Sequence, residues 1–190
     1  MAPVALVTGA TGFIGRHLVE RLHRSGCRVR AFARDAEKFR RLFGAMDGVE
    51  LVRGDFSAAA PLAGALPGVS WVFHLAGATK ARRGADFDQA NHLGSRRLYE
   101  TIRDTPNQVE SIIHVSSLAA VGPSPSPVPP EVIEPPRPLT RYGRSKLEGE
   151  AEALALAGRF RVVIIRPPAV FGPGDFDVLH FLKAVARGVI

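Results

Sequence analysis

Val4-Ala5-Leu6-Val7-Thr8-Gly9-Ala10-Thr11-Gly12-Phe13-Ile14-Gly15 decides the fold of this chain. Its first half is a short apolar run without polar alternation, the pattern of a strand covered on both faces. Its second half places glycines at 9, 12 and 15 where the strand must turn into a helix. Gly9 permits the tight turn, Gly12 lets backbone approach a pyrophosphate with no Cβ between, and Gly15 allows close helix–strand packing. Amide N–H groups at the helix start, aided by the helix dipole, then face the phosphates. Glycine spacing alone describes many ordinary turns. Strand, glycines and helix in this order predict a dinucleotide site.

Outward from this unit the alternation repeats. Apolar runs at Val4–Thr8, Arg28–Ala33, Val49–Val52, Trp71–Leu75, Ser111–Ser116 and Val162–Arg166 are separated by stretches of helical character. Buried parallel strands joined by right-handed crossovers make an α/β, doubly wound parallel sheet of Rossmann-like form. Ile14, Leu18 and Leu22 fall four apart, predicting the buried face of the first helix, with Gly26 as its stop. Phe87, Ala90, Leu93, Leu98 and Ile102 predict a longer helix over about 85–104. Eight prolines between Gly122 and Pro138 exclude regular structure there and predict an extended loop on the substrate side.

A length of 190 residues allows one domain, or one and the start of another, with a real core. Hydrophobic residues at 46% and charged residues at 23% exclude a disordered or fibrous class. No apolar run approaches the roughly 20 residues of a membrane span, and the chain enters its first strand directly, so a cytoplasmic protein is expected. Cys27, the single cysteine, has no internal disulfide partner and reads as a small buried hydrophobe. The net charge of +7 fits either a nucleic-acid surface or attraction of an anionic cofactor. Much of the excess lies between Arg16 and Arg41 without interleaved aromatics, which disfavours nucleic acid. His17, His74, His92 and His114 lack metal-ligand spacing, so no metal is expected.

TGATGFIGRHL resembles the opening of the extended short-chain dehydrogenase/reductase superfamily, in its NAD(P)-dependent epimerase/dehydratase-like branch. Gly54-Asp55, HLAGA at 74–78, Asn91-x-x-Gly94-Ser95, HVSS at 114–117, Tyr142-Gly143-Arg144-Ser145-Lys146 and RPPAVFGPGD at 166–175 follow in the family's order. The resemblance implies that Asp55 and Phe56 contact the adenine, that Leu75, Ala76 and Gly77 line the cofactor, and that Asn91 positions its nicotinamide half. It also implies cofactor contacts at Thr11, Phe13, Ile14, Pro167 and Val170, beside Gly9, Gly12 and Gly15. Tyr142 and Lys146 stand four apart at the start of a predicted helix, so they share a face. An ammonium beside the phenol favours the phenolate, which makes Tyr142 the expected acid/base. By resemblance, Lys146 also binds the nicotinamide ribose and a Ser or Thr orients the substrate oxygen. Counting back five from Gly122, as the family's loop does, selects Ser117 over Ser116.

The cofactor expectation rests on the end of the second strand. NAD-preferring members carry an acid there; here Ala33 takes the place and Arg34 follows. A guanidinium can form a forked, charge-assisted pair with a 2′-phosphate, which favours NADP, while Asp35 keeps NAD as the alternative. The expected organisation is a cofactor-binding domain over 1–170 and, over 171–190, the start of a substrate-binding region otherwise absent from this sequence. The expected activity is hydride transfer at a C–OH/C=O carbon of a small-molecule substrate. Its rivals are a nucleotide-sugar epimerase or dehydratase that recycles its cofactor, and a non-catalytic cofactor-sensing or nucleic-acid-binding protein. A homodimer through the helices of Asn91 and Tyr142 is expected, with Leu98 and Leu147 as apolar residues left on their outer faces.

Overall fold

The run Val4–Thr8 (β1) lies in the middle of a six-stranded parallel sheet ordered β3-β2-β1-β4-β5-β6 in a computed structural model that describes residues 2–123 and 135–189. The other strands are Arg28–Ala33 (β2), Val49–Arg53 (β3), Trp71–His74 (β4), Ser111–Val115 (β5) and Arg161–Ile165 (β6). Strand order reverses at β1, whose Thr8 pairs with Phe32 on one side and His74 on the other. In such sheets the crevice at the carboxyl ends of the two diverging halves takes the ligand.

Helices cover both faces. Phe13–Arg24 (α1) and Ala36–Phe43 (α2) bury Val19, Leu22, Phe39 and Phe43 against Ala5, Val7, Val29 and Ala31. Ala60–Ala65 (α3), Gly94–Asp104 (α5) and Arg141–Leu154 (α6) bury Leu62, Leu98, Tyr99, Ile102 and Ala153 against Leu6, Val72 and Ile112. Gly84–Phe87 (α4) leads through a π-helical turn, Asp88–Leu93, into α5. The helix predicted over 85–104 is therefore present, with one wide turn that its apolar spacing did not announce. Phe176–Ala186 (α7) follows the last strand.

Three expectations need correction. The buried face of α1 is Gly15, Val19 and Leu22, whereas Ile14 is 38% exposed. Among the described residues strand β6 is the last of the sheet and is not covered on both faces, with Val163 and Ile165 42% and 46% exposed. Leu98 is fully buried in its own chain and offers nothing to a partner; Leu147 is half-buried. The outer surface of α5 and α6 carries charges instead, with His92 Nε2 and Arg96 Nε each 3.0 Å from a Glu152 oxygen. Most of the proline-rich stretch, 124–134, lies outside the described residues. Its flanks are tied together, Arg137 N–H donating to the Val121 carbonyl at 2.7 Å.

The turn after β1 explains its first and third glycines. Gly9 has φ +69°, and a Cβ there would stand 2.7 Å from Ala76 N and 2.8 Å from the Leu75 carbonyl carbon. At Gly15 a Cβ would strike the Gly9 carbonyl oxygen. Both conflicts are with backbone, which cannot swing aside. Gly9→Ala should therefore lower unfolding free energy by about 2–4 kcal/mol, combining the left-handed penalty with the collision. A denaturant midpoint equal to that of the parent chain would refute this account of the turn.

Candidate active site

A cavity of about 800 Å³ opens at the carboxyl ends of β1, β4 and β5. Of the residues singled out from sequence, Gly9, Gly12, Phe13, Ile14, Gly15, Leu75, Gly77, Asn91, Ser117, Tyr142, Lys146, Pro167 and Val170 line it. Thr11, Arg34, Asp55, Phe56 and Ala76 stand outside its walls. Phe56 packs between Phe32 and His74, its ring centroid 5.5 and 5.7 Å from theirs. The Asp55 carboxylate accepts from the Ser57 hydroxyl and from Ser57 N–H, the latter at 2.7 Å; these bonds, with Arg34 and Arg97 nearby, hold it below the usual carboxylate range. Arg34 is exposed at the end of β2. Asp35 caps α2, accepting from Lys38 N–H at 2.9 Å, a structural duty that accounts for an acid beside Arg34.

The cavity is held open from beneath by a directed chain of buried hydrogen bonds. The Ser95 hydroxyl gives its proton to the Asn91 carbonyl at 2.6 Å, so it accepts from His74 Nε2–H at 2.9 Å. His74 Nδ1 is then bare and accepts from the Thr8 hydroxyl at 2.6 Å. This tautomer is neutral, in keeping with a pKa pushed well down by burial and by His114 and Lys146. The Asn91 side chain extends the chain upward. Its Oδ1 accepts from Ala78 N–H at 2.8 Å, while Nδ2 donates to the Ala78 carbonyl at 3.1 Å and to Ser145 Oγ at 3.0 Å. Ser145 in turn donates to the Tyr142 carbonyl at 2.8 Å. The π-helical turn delivers Asn91 to this point, as such turns often do at functional sites. Gly77 must lack a Cβ because one would lie 2.6 Å from Asn91 Oδ1.

Helix α6 starts at the cavity because Thr140 accepts from Gly143 N–H at 3.0 Å and because Gly143 has no Cβ to strike the Ala119 carbonyl. Tyr142 rests against Phe87, centroids 5.6 Å apart. One turn later Lys146 is 6% exposed and donates from Nζ to the Val115 carbonyl at 2.7 Å. Desolvation lowers its pKa to about 8, with Glu150 opposing the fall. Ser117 sits at the mouth of β5 with its Oγ accepting from Ala119 N–H at 3.2 Å. Ser116 also lines the cavity, and its buried Oγ has no partner among the described residues. Sequence reasoning missed Ala78, Thr79, Val115, Ser116, Leu118, Ala119, Pro168, Ala169, Asp175 and Val178 as lining residues. All but Ala119 and Val178 lie within or next to a quoted motif, so the remaining positions of those motifs and their neighbours were the available signal.

The walls fit a nicotinamide dinucleotide. Helix α1 begins at Gly12 without a side-chain cap, so its first amides keep their donors for an anion, beside a turn stripped of Cβ atoms. At the other end a lysine and a tyrosine converge on the same space. No group of three or more His, Cys, Asp or Glu suited to a metal occurs among the described residues.

The sequence profile of the NAD dependent epimerase/dehydratase family matches residues 5–189. A ceramide reductase from Caulobacter vibrioides is 35% identical over 98% of this chain and 52% of its own length. Sterol demethylase protein B from Methylococcus capsulatus is 35% identical over 90% of this chain and 52% of its own. Among solved structures, MoeE5 in complex with UDP-glucuronic acid and NAD is 33% identical, with a TM-score of 0.79 over 95% of this chain and 60% of that one. The chain thus spans about half the length of the curated relatives it matches.

Burial of Lys146 has a cost that titration exposes. Its folded pKa of about 8 lies below its ordinary 10.5, so below pH 8 the lysine is charged in both states and the full desolvation penalty stands. Between 8 and 10.5 the unfolded chain holds the extra proton, and stability rises with pH. Lys146→Met should raise unfolding free energy at pH 7 by about 1–2 kcal/mol and flatten that alkaline rise. A variant less stable than the parent at pH 7 would show that the Val115 bond outweighs desolvation.

Proposed function

The chain belongs to the NAD dependent epimerase/dehydratase family, and from that premise we propose that the whole protein is an NAD(P)-dependent oxidoreductase acting at a C–OH/C=O carbon. One observation carries this reading: the glycine turn, Ser117, Tyr142 and Lys146 all line one cavity. A nicotinamide cofactor, when bound there, would supply or accept the hydride. Tyr142 donates a proton to the carbonyl oxygen as it becomes a hydroxyl, or takes it in the reverse direction. Lys146 binds the nicotinamide ribose, and the Ser117 hydroxyl orients the substrate oxygen. Asn91, fixed by Ala78 and Ser145, holds the loop after β4 against α6. Residues 171–190 begin the substrate-binding region.

The reductase reading is favoured over a recycling epimerase by the cavity wall beyond Tyr142. Leu118, Ala119 and Val178 are apolar, and Phe87 backs the tyrosine. Such a wall suits an apolar carbonyl compound, in line with the names of the ceramide and sterol relatives. The epimerase reading draws on MoeE5, which holds a UDP-sugar. Stoichiometric NADPH consumption marks a reductase, and catalytic cofactor marks an epimerase. Cytoplasmic location and pairing of two copies through the helices of Asn91 and Tyr142 belong to the same proposal. The surface offered for pairing is the charged one of His92, Arg96 and Glu152.

Tyr142→Phe in the whole enzyme should leave cofactor affinity nearly unchanged and lower turnover by about 10²-fold or more. Retained turnover would remove the phenol from the mechanism. For cofactor choice, Arg34 marks NADP as the preferred form. Arg34→Ala should weaken NADPH binding about tenfold or more relative to NADH. Equal losses for both cofactors in a fluorescence titration would end the assignment of Arg34 to the 2′-phosphate.

A further inference from the structure

Helix α6 carries Tyr142, Lys146 and Glu150 at successive turns of one face. Glu150 is 1% exposed, on a helix whose other deeply buried residues are small apart from Lys146. Both its carboxylate oxygens are taken by one guanidinium: Arg166 Nε donates to Oε1 at 3.0 Å and Nη2 to Oε2 at 2.6 Å. Arg166 follows β6 directly and precedes Pro167, Pro168 and Val170, which line the cavity. A buried ion pair is a poor device for stability, since apolar residues of similar size do as well or better. Its placement one turn below the site lysine gives it another use.

We propose that Glu150 and Arg166 are a positioning pair for Lys146, the carboxylate holding the ammonium charged through space while the forked bond fastens α6 to the cavity-lining loop 167–170. The inference rests on the proposed place of Lys146 in the cofactor site. Among the described residues, Glu150 is the anion that acts on Lys146 through space, while Asp175 lines the same cavity. From β4 and β5, Lys146 faces His74 and His114, both held neutral at working pH, His114 with a pKa near 3. From α6 it faces Tyr142 and Glu150, and beyond Glu150 stands the cation Arg166. Desolvation pulls the lysine toward neutrality and Glu150 resists, while the Arg166 guanidinium bound to the same carboxylate opposes that help by its like charge.

The two partners must then act on Lys146 with opposite sign. Removing Glu150 leaves an unpaired guanidinium near the ammonium and favours the neutral amine. Removing Arg166 frees the carboxylate to serve Lys146 alone and favours the charged form. A merely structural pair would disturb both variants alike. The chain has four lysines, Lys38, Lys80, Lys146 and Lys183, so the Lys146 signal can be followed by heteronuclear NMR of labelled lysine and assigned with Lys146→Met.

In the full chain, Glu150→Gln should lower the Lys146 titration midpoint by about one pH unit or more, the scale of a unit charge lost within a helical turn at a partly buried site. Arg166→Met should raise it, and Arg166→Lys should leave it near the parent value. Midpoints that stay fixed in Glu150→Gln and Arg166→Met, or move in the same direction, would overturn the proposal. Should Glu150→Gln fail to fold, Arg166→Met against Arg166→Lys decides alone: a rise only on loss of charge sustains it, and equal midpoints refute it. NADPH titrations across the same pH range separate the two readings. If the lysine midpoints move as expected while cofactor binding does not follow them, the pair stands and the assignment of Lys146 to the cofactor falls.

Discussion

Two backbone segments meet at the centre of the sheet with almost no space between them. The turn at Gly9 lies against Leu75 and Ala76, close enough that a single methyl group would collide with main chain. This approach sets the floor of the cavity, since it brings the start of α1 and the exit of β4 to the same point. The bond from Leu75 N–H to the Thr8 carbonyl at 3.2 Å extends the β1–β4 pairing just past the last paired residues, Thr8 and His74. The cavity opens past this contact, at the carboxyl ends of the strands.

Below the floor, side chains replace backbone as the connection between elements. Thr8, His74, Ser95, Asn91 and Ser145 come from β1, β4, the π-helical segment with α5, and α6, and their bonds run in one direction with each donor used. Such a network is stable in a dry interior when every member is satisfied. It also specifies geometry: moving α6 relative to β4 would break Asn91 from Ser145 or from Ala78. A neighbouring pair, Tyr99 and His114 at 2.6 Å, fills the space beside it. There burial pushes the phenol pKa well up and the imidazole down to about 3, so both stay neutral. The start of α6 is therefore positioned by this uncharged network together with the Arg141–Asp88 ion pair at 3.1 Å, and Lys146 and the Glu150–Arg166 pair follow further along.

Strands were the most legible part of the sequence because each is a short run dominated by apolar residues between helical stretches, and all six fall within one residue of the expected ends. The glycine turn was legible because strand, glycines and helix stand in order, and Tyr142 with Lys146 because a spacing of four puts both on one helix face. Features made by tertiary contact were not. The Ile14, Leu18 and Leu22 spacing was misleading since α1 has two occupied faces, one against the sheet and one bearing Ile14 toward the cavity. Leu98 was assigned outward, although α5 turns it into the core with Tyr99 and Ile102. The edge exposure of β6 depends on what lies beside it, which its own Val and Ile content does not encode. Glu150 and Arg166 sit 16 residues apart with no periodic signal linking them.

The basic balance of the chain also changes meaning once the side chains are placed. Arg30 donates to the Ala65 and Pro67 carbonyls, Arg97 to Phe56, Arg159 to Arg103 and Arg16 to Pro173, so each guanidinium ties a loop or helix end to another element. Arg28 pairs with Glu50 and Arg166 with Glu150. A guanidinium suits this work because it offers several donors in a fixed plane and stays charged when partly buried. Charge count alone therefore overstates the surface free to bind a polyanion. At the cavity the positive potential comes instead from the uncapped amides at the start of α1, which contribute nothing to the formal charge.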